Sequence, residues 1–407
     1  MRFFRIASSL IVQSGLFVIY YLSFLFPRNK KIWLYGNYQG TFRDNAKYLF
    51  IYNNIHFPEI KHVWISPSQE VVNTLNLLGF TSFYRYSFHA IYYAFIAKVY
   101  IYNVVPRDIS NGYYRGTAFL FNLWHGVPYK KIEYDIEKGP LKTFFHPVGF
   151  KEKFERFLYE PETFRSSSAV LATSAKLDDI FSSAFRLPKD KVCIGPYPRN
   201  WPLKFSKIEL IDFINKYETK GFNQLISSLS AFNSVIIYMP TFRDANPDFM
   251  DQAIPDFEKL NYFCKRNNTL FLIKAHVLTK FSADLSKFSN IKSLDSELDV
   301  YPLLPFTHAL VSDYSSIIFD YSLLKKKIIF YAFDKEDYLS KSRESYFEYE
   351  EIFSNDITSS FEALLKEIEL LGQNEPLKYE YPLSSAFFDT NTDLNNIVHY
   401  IKKSINY

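Results

Sequence analysis

The stretch HALVSDYSSIIFDYSLLKKKIIFYAF, residues 308–333, decides the fold. HALVS is an apolar run that enters a turn at Tyr314-Ser315-Ser316. IIFDYSLL then spaces its apolar residues as a helix does, and KIIFYAF is again a continuous run rich in β-branched and aromatic residues. Strand, helix and strand in immediate succession make a β-α-β unit. Runs apolar on both faces belong to parallel strands covered on both sides by helices. The rhythm extends upstream, through a helix over Lys207–Leu229, SVIIYMPTF (234–242), a helix over Phe257–Arg266 and TLFLIKAH (269–276). It is also present in the first half of the chain. There IWLYG (32–36), HVWIS (62–66), KVYIYN (98–103), FLFNLWHG (119–126), AVLATS (169–174) and KVCIGPYPRN (191–200) alternate with helical runs at 42–53, 69–78, 90–97, 151–159 and 177–185. Pro196, Pro198 and Pro202 interrupt the pattern near residue 200. The expected architecture is α/β: two Rossmann-like lobes with parallel sheets, over 31–200 and 201–407. Ligands of such sheets bind beyond the carboxyl ends of the strands, and a cleft between the lobes is expected.

Length and composition agree with two lobes. The 407 residues are 48% hydrophobic and 22% charged, with a net formal charge of +4, which excludes a disordered chain, a polyanion-coating protein and a small disulfide scaffold, and no nucleic-acid partner is expected. Cys193 and Cys264 lie far apart and in no metal-ligand spacing, which fits a reducing compartment without structural zinc. Aromatic residues are in excess, with 42 Phe, 32 Tyr and 4 Trp.

Ahead of the first lobe, residues 6–26 read IASSLIVQSGLFVIYYLSFLF without a charge, between Arg2 and Arg5 on one side and Arg28, Lys30 and Lys31 on the other. That length reaches the threshold for a spanning helix, and the basic flanks suit an anionic lipid surface. Ser8, Ser9, Gln13, Ser14, Gly15 and Ser23 dilute the hydrophobicity, so residues 1–30 are expected to form a hydrophobic, membrane-associating helix, with a buried helix of the first lobe and a signal sequence as the alternatives.

Four constellations fall at predicted strand ends. Trp124-His125-Gly126 places an imidazole where Gly126 lets the backbone pass close to a ligand, with Lys130 and Lys131 beyond; His125 suits a general base. Thr241-Phe242-Arg243-Asp244 offers a hydroxyl, a guanidinium able to clamp phosphate, or a simple Arg243–Asp244 surface pair. Lys274 and His276 alternate onto one side of a strand end and can converge on an anion. Ser315 and Ser316 open a helix whose free N–H groups suit phosphate or an ordinary cap, and Asp320 lies a turn further on. No zinc motif, P-loop, dinucleotide fingerprint or nucleophile elbow is present, and no carboxylate cluster marks a metal site.

Together and in this order, these segments resemble the CDP-glycerol glycerophosphotransferase family, which builds teichoic acids and related polymers. The matching segments are DNAKYLF (44–50), WHG-x-P-x-K (124–130), YPRN (197–200), PTFRD (240–244), K-x-H (274–276) and SDYSSIIFDYSLL (312–324). The resemblance implies a two-lobed GT-B fold with an acceptor-side first lobe and a CDP-donor-binding second lobe. It implies transfer of a polyol phosphate from CDP-glycerol or another CDP-polyol to the hydroxyl of a lipid-linked or polymer acceptor, releasing CMP, at the cytoplasmic face of the cell membrane. On matching positions it makes His125 and His276 the essential histidines. Ser315, Ser316 and Asp320 become the donor set, with Gly126, Arg199, Thr241, Arg243 and Lys274 contributing and no metal assigned. Val127 and Val277 stand where the family usually has Thr and Pro. The alternatives are a GT-B glycosyltransferase using a nucleotide sugar and a non-catalytic scaffold of surface-polymer assembly.

Overall fold

The computed structural model describes residues 14–110, 114–139, 141–159, 167–243, 246, 248–276, 278–279, 281–341, 344–353, 357–373, 378–389 and 391–407. Two parallel sheets carry it. The first comprises β1 (Asn29–Tyr35), β2 (Lys61–Ser66), β3 (Ser82–Tyr84), β4 (Ala97–Tyr102), β5 (Phe119–Asn122), β6 (Ala169–Ala172) and β7 (Val192–Ile194), in the order β3-β2-β1-β4-β5-β6-β7. The second comprises β8 (Ser234–Tyr238), β9 (Thr269–Ile273), β10 (Ile291–Ser293), β11 (Ala309–Ser312), β12 (Lys327–Tyr331) and β13 (Ile357–Thr358), in the order β10-β9-β8-β11-β12-β13. Every residue of β6, β8, β9 and β11 is buried, as the unbroken apolar runs require. In each sheet the winding reverses at a central pair, β1 with β4 and β8 with β11. Such a switch point opens a crevice at the carboxyl ends of the strands.

The chain forms two compact units, and it passes from the first to the second at Trp201–Pro202, inside the proline cluster. Two segments depart from a simple division at residue 200. Val127–Lys130 belongs to the second unit, and Phe387–Tyr407 returns to the first. The returning helix, Leu394–Ser404, starts where the Asp393 carboxylate accepts the N–H groups of Asn395 and Asn396. It buries Leu394, Ile397, Val398 and Ile401. A Cβ on Gly195 would lie 3.1 Å from Ile397 Cγ1, so the glycine admits this helix against β7. Ahead of it, Thr173 Oγ1 donates to Phe387 O (2.6 Å) and Asp389 N donates to Thr173 O (2.7 Å). An amphipathic helix at a chain end carries no mark of which sheet it will cover.

The long helix expected over 207–229 is two helices, Lys207–Tyr217 and Lys220–Leu229. Glu218 is extended, and the Thr219 hydroxyl accepts the Phe222 N–H, so a side-chain cap starts a new helix where periodicity alone reads through. Only part of the uncharged N-terminal stretch falls among the described residues. Residues 14–22 are helical, Ser23–Leu25 form a 3-10 turn, and residues 1–13 lie outside the description. Among the described residues no helix is long and apolar enough to cross a membrane. Arg28, read as a lipid-facing flank, instead spends its guanidinium on the carbonyls of Ser23, Ala94, Ala97 and Tyr114.

A buried polar chain in the first unit has a thermodynamic consequence. Asn53 Nδ2 donates to Tyr35 Oη, Tyr35 Oη contacts His62 Nδ1 at 3.0 Å, and His62 Nε2 faces Phe57 O at 3.1 Å. The carbonyl requires the proton on Nε2, so neutral His62 accepts from the tyrosine. Burial depresses its pKa from 6.5 to about 4. The unfolded chain thus takes up a proton that native His62 refuses. Stability is expected to fall as pH drops from about 6.5 towards 4, by at most about 3 kcal/mol. Urea midpoints across that range check the slope, which His62→Gln should flatten.

Candidate functional site

At the first switch point the ends of β1 and β4 are joined by buried amides. Asn103 Nδ2 donates to Asn37 Oδ1 (2.7 Å), and Asn103 Oδ1 accepts the N–H of Ala46 (3.1 Å). Asn37 also holds its own loop through Thr41 Oγ1 and Arg43 O. This fixes the start of the helix Asp44–His56, where Asp44 takes the left-handed φ of 61°. From that start Asn45, fully buried, reaches across to the end of β5. Its Nδ2 donates to Trp124 O (2.9 Å), and its Oδ1 accepts the Arg199 N–H (3.1 Å).

His125 sits in the loop so held. Trp124 has φ 55° and Gly126 φ 144°, so the backbone on both sides of the histidine is left-handed. Such a conformation costs on the order of 1–3 kcal/mol for a residue with a Cβ and persists only where its surroundings enforce it. Here Asn122 Oδ1 accepts the Trp124 N–H (2.8 Å), and the indole packs on Phe181 and Phe185. Arg199 Nη1 donates to His125 O (2.8 Å) and pairs with Asp44 Oδ1 (3.0 Å). The result is an exposed imidazole, ring centroid 4.1 Å from that of Trp124, on a backbone that cannot relax. Arg199, read as a donor contact, is 5% exposed and works here as a brace for the histidine loop. Asn37, Asn45, Asn103 and Asn122 escaped the sequence reading, because an asparagine after a strand looks like ordinary turn chemistry.

In the second unit the strand-end residues fall into two groups. Ser315 and Ser316 are half-buried, and Ser316 stands at the N-cap with no side-chain cap bond, in front of the helix Ile317–Ser322. Six residues carry little macrodipole, so local amides and hydroxyls supply most of what this turn offers an anion. His276 is exposed beyond β9, its ring centroid 4.6 Å from that of Phe242. Its Nδ1 accepts the Leu278 N–H (3.3 Å), so the neutral ring carries its proton on Nε2, free in chemistry to donate to an oxyanion.

The other group is turned inward. Lys274 Nζ donates to Asp295 O (2.8 Å) and Ser296 O (2.5 Å). Asp320 is 1% exposed, and its Oδ2 accepts from Tyr301 Oη (2.8 Å). Arg243 is buried, with Nε 2.8 Å from Asp334 Oδ2 and Nη2 2.9 Å from Asp334 Oδ1. Its Nη1 bonds Thr241 O, and Nη2 forms a 2.8 Å ion pair with Asp313 Oδ2, off the hydrogen-bond axis that runs to Asp334. The expected phosphate clamp therefore has its fork filled by carboxylates. Burial alone would lower the Arg243 pKa, but Asp313 and Asp334 outweigh it and hold the group firmly cationic. Thr241 donates its N–H to Asp313 Oδ1 (2.9 Å), while its hydroxyl is buried without a partner among the described residues. Asp244 and Val277 lie outside the described residues, and no metal-binding group of His, Cys, Asp or Glu occurs among those that are described.

Two units wound 3-2-1-4, with histidines and a serine turn at their strand ends, define a doubly wound α/β protein whose ligands bind beyond the carboxyl ends of the strands. The chain belongs to the CDP-glycerol:poly(glycerophosphate) glycerophosphotransferase family, whose profile matches residues 18–389. It is 25% identical over 386 residues to the teichoic acid poly(glycerol phosphate) polymerase of Bacillus spizizenii, covering 91% of this chain and 90% of that one. It is 29% identical over 273 residues to a Staphylococcus aureus teichoic acid glycerol-phosphate transferase, covering 63% and 62%. To the ribitol-phosphate polymerase TarL of S. aureus it is 35% identical over 264 residues, covering 63% of this chain and 42% of the relative. Among solved structures, the wall teichoic acid polymerase TagF shares the fold, with a TM-score of 0.72 at 20% identity over 99% of this chain and 97% of that one.

If Arg199 braces His125, Arg199→Lys lowers kcat by about ten- to a hundredfold and leaves the KM for the CDP-linked donor unchanged. Steady-state kinetics with donor and acceptor varied separately distinguish this from a donor contact, which would move donor KM instead.

Proposed function

We propose that the protein transfers glycerol phosphate from CDP-glycerol to the hydroxyl of a lipid-linked or polymeric acceptor, releasing CMP. The observation that carries this reading is the exposed His125 on a braced loop, within a chain that also carries the Ser315–Ser316 turn and belongs to this family. The acceptor oxygen attacks the donor's β-phosphorus. An O–P bond forms, the bridging P–O bond to the α-phosphate breaks, and the electron pair leaves with CMP. His125 takes the hydroxyl proton. His276 donates through Nε2 to the diphosphate, and Ser315 and Ser316 hold it with hydroxyls and amides. Phosphoryl transfer asks mainly for positioning and charge stabilisation, which such groups supply. Val127, where the family usually has Thr, is 1% exposed.

His125→Ala is expected to lower kcat by about 100- to 10,000-fold in a folded protein. A purified sample offered CDP-glycerol and CDP-ribitol, with nucleotide products resolved, should release CMP and prefer CDP-glycerol. Release of CDP instead would mean glycosyl transfer with C–O cleavage, and no release from any CDP-polyol would leave a scaffold.

We further propose that the protein works at the cytoplasmic face of the membrane. The membrane part of this proposal is supported by several large apolar side chains exposed on the first unit. Tyr21 is 68% exposed, Leu25 78% and Phe88 80%, with Tyr92 one turn beyond Phe88. The Phe26 ring lies 4.7 Å from Phe95, and Arg28 bonds the carbonyls of Ala94 and Ala97, so the N-terminal segment packs against the C-terminal end of the helix Phe88–Ile96. Single exposed apolar residues are ordinary, but several on two segments packed together suit an interaction surface. Flotation with phosphatidylglycerol vesicles should recover the protein. Leu25→Asp with Phe88→Asp should reduce recovery and leave catalysis on a soluble acceptor intact, and unchanged flotation would remove the assignment.

A further inference from the structure

We infer that Asp313, Arg243 and Asp334 form a positioning device for the donor site, an inference that rests on the donor reading of Ser315 and Ser316. Asp313 is fully buried at the end of β11, two residues ahead of Ser315. Its Oδ1 accepts the N–H of Tyr314 (2.6 Å) and the N–H of Thr241 (2.9 Å). One carboxylate oxygen therefore ties the loop after β8 to the serine-bearing turn after β11, across the second switch point. Ser312 Oγ adds a second tie by donating to Met239 O (2.6 Å).

An isolated buried carboxylate is costly, and Arg243 supplies its counter-charge. The guanidinium is in turn held flat by both oxygens of Asp334, which follows β12. Aromatic walls exclude water from the group. Arg243 lies 5.1 Å from the Tyr314 ring centroid, 4.8 Å from Tyr338 and 4.9 Å from Phe249. Tyr314 and Tyr338 stack at 3.8 Å, and Tyr314 Oη donates to Asp334 Oδ1 (3.2 Å). Lys130 closes the outer side, 4.0 Å over Tyr338 and bonded to its hydroxyl. The fork of Arg243 faces carboxylates, so its role is to hold Thr241, Asp313 and through it Ser315 and Ser316 in one geometry. Charge-assisted, two-point bonds in a dry site resist rotation, which a lysine at 243 would not reproduce.

The test uses full-length protein, CMP release and thermal unfolding. Asp334 is the residue of choice because its side chain is 16% exposed and lies outside the strands. Asp334→Asn is expected to raise donor KM by about ten- to a hundredfold, with kcat and acceptor KM within about twofold and unfolding still cooperative. Asp334→Glu should recover part of the donor KM, and Arg243→Lys should behave like Asp334→Asn. If Ser315→Ala with Ser316→Ala raises donor KM while Asp334→Asn and Arg243→Lys do not, the positioning role is overturned and the donor site stands. If the serine variant leaves donor KM unchanged, the donor reading itself falls. Loss of cooperative unfolding in both Asp334→Asn and Asp334→Glu would show a purely structural knot and also overturns the inference.

Discussion

The constraint on which the rest depends is the parting of two parallel strands at the centre of each sheet. Where β8 and β11 end, their loops diverge, and their backbone groups lose the partners that the ladder supplied. Asp313 bridges them with one oxygen, and Asn37 with Asn103 does the same where β1 and β4 part. The two solutions differ in charge. The amides need no counter-ion, whereas the carboxylate brings Arg243, and Arg243 brings Asp334. Everything displayed at the strand ends is built on these bridges.

That hierarchy separates side chains left accessible at the strand ends from side chains that hold the loops in place. His125 and His276 are exposed, and Ser315 and Ser316 are half-buried, Ser316 without a side-chain cap bond. Arg199, Arg243, Lys274 and Asp320 have their polar groups committed to the protein. A cation near a phosphate site need not touch phosphate. A buried guanidinium saturated by carboxylates contributes rigidity, and rigidity is what an in-line displacement requires. The strained backbone around His125 belongs to the same economy, since φ 55° at Trp124 is tolerable only under the indole packing and three polar clamps.

The excess of aromatic residues also finds a structural place. Trp33, Trp64, Tyr35, Tyr100, Tyr102, Tyr238, Tyr321 and Tyr331 are among the largest fully buried side chains. Several tyrosines in these cores bury the ring and still satisfy the hydroxyl: Tyr321 with Thr307, Tyr331 with Ala253 O and Tyr301 with Asp320. A flat ring of this kind fills the layer between sheet and helix and ties a loop at the same time. Burial pushes the Tyr100 phenol up to about 12, and its hydroxyl donates to Ala94 O.

The amino-acid sequence alone determined the parallel α/β class, the change of unit at the proline cluster, and the order in which histidines and serines reach strand ends. These follow from periodicities and turn chemistry that act within a few residues. The cap at Thr219 was missed for the opposite reason, since one local hydrogen bond overrode a helical period that continues on both sides. Only the tertiary structure decided that Leu394–Ser404 covers the first sheet, that Arg199 braces His125 across 74 positions of chain, and that Arg243 finds Asp334, 91 positions away, in place of a phosphate. Side-chain charge is written in the sequence, but its partner is chosen by which buried group would otherwise be left uncompensated, and that is settled only when distant strands are brought side by side.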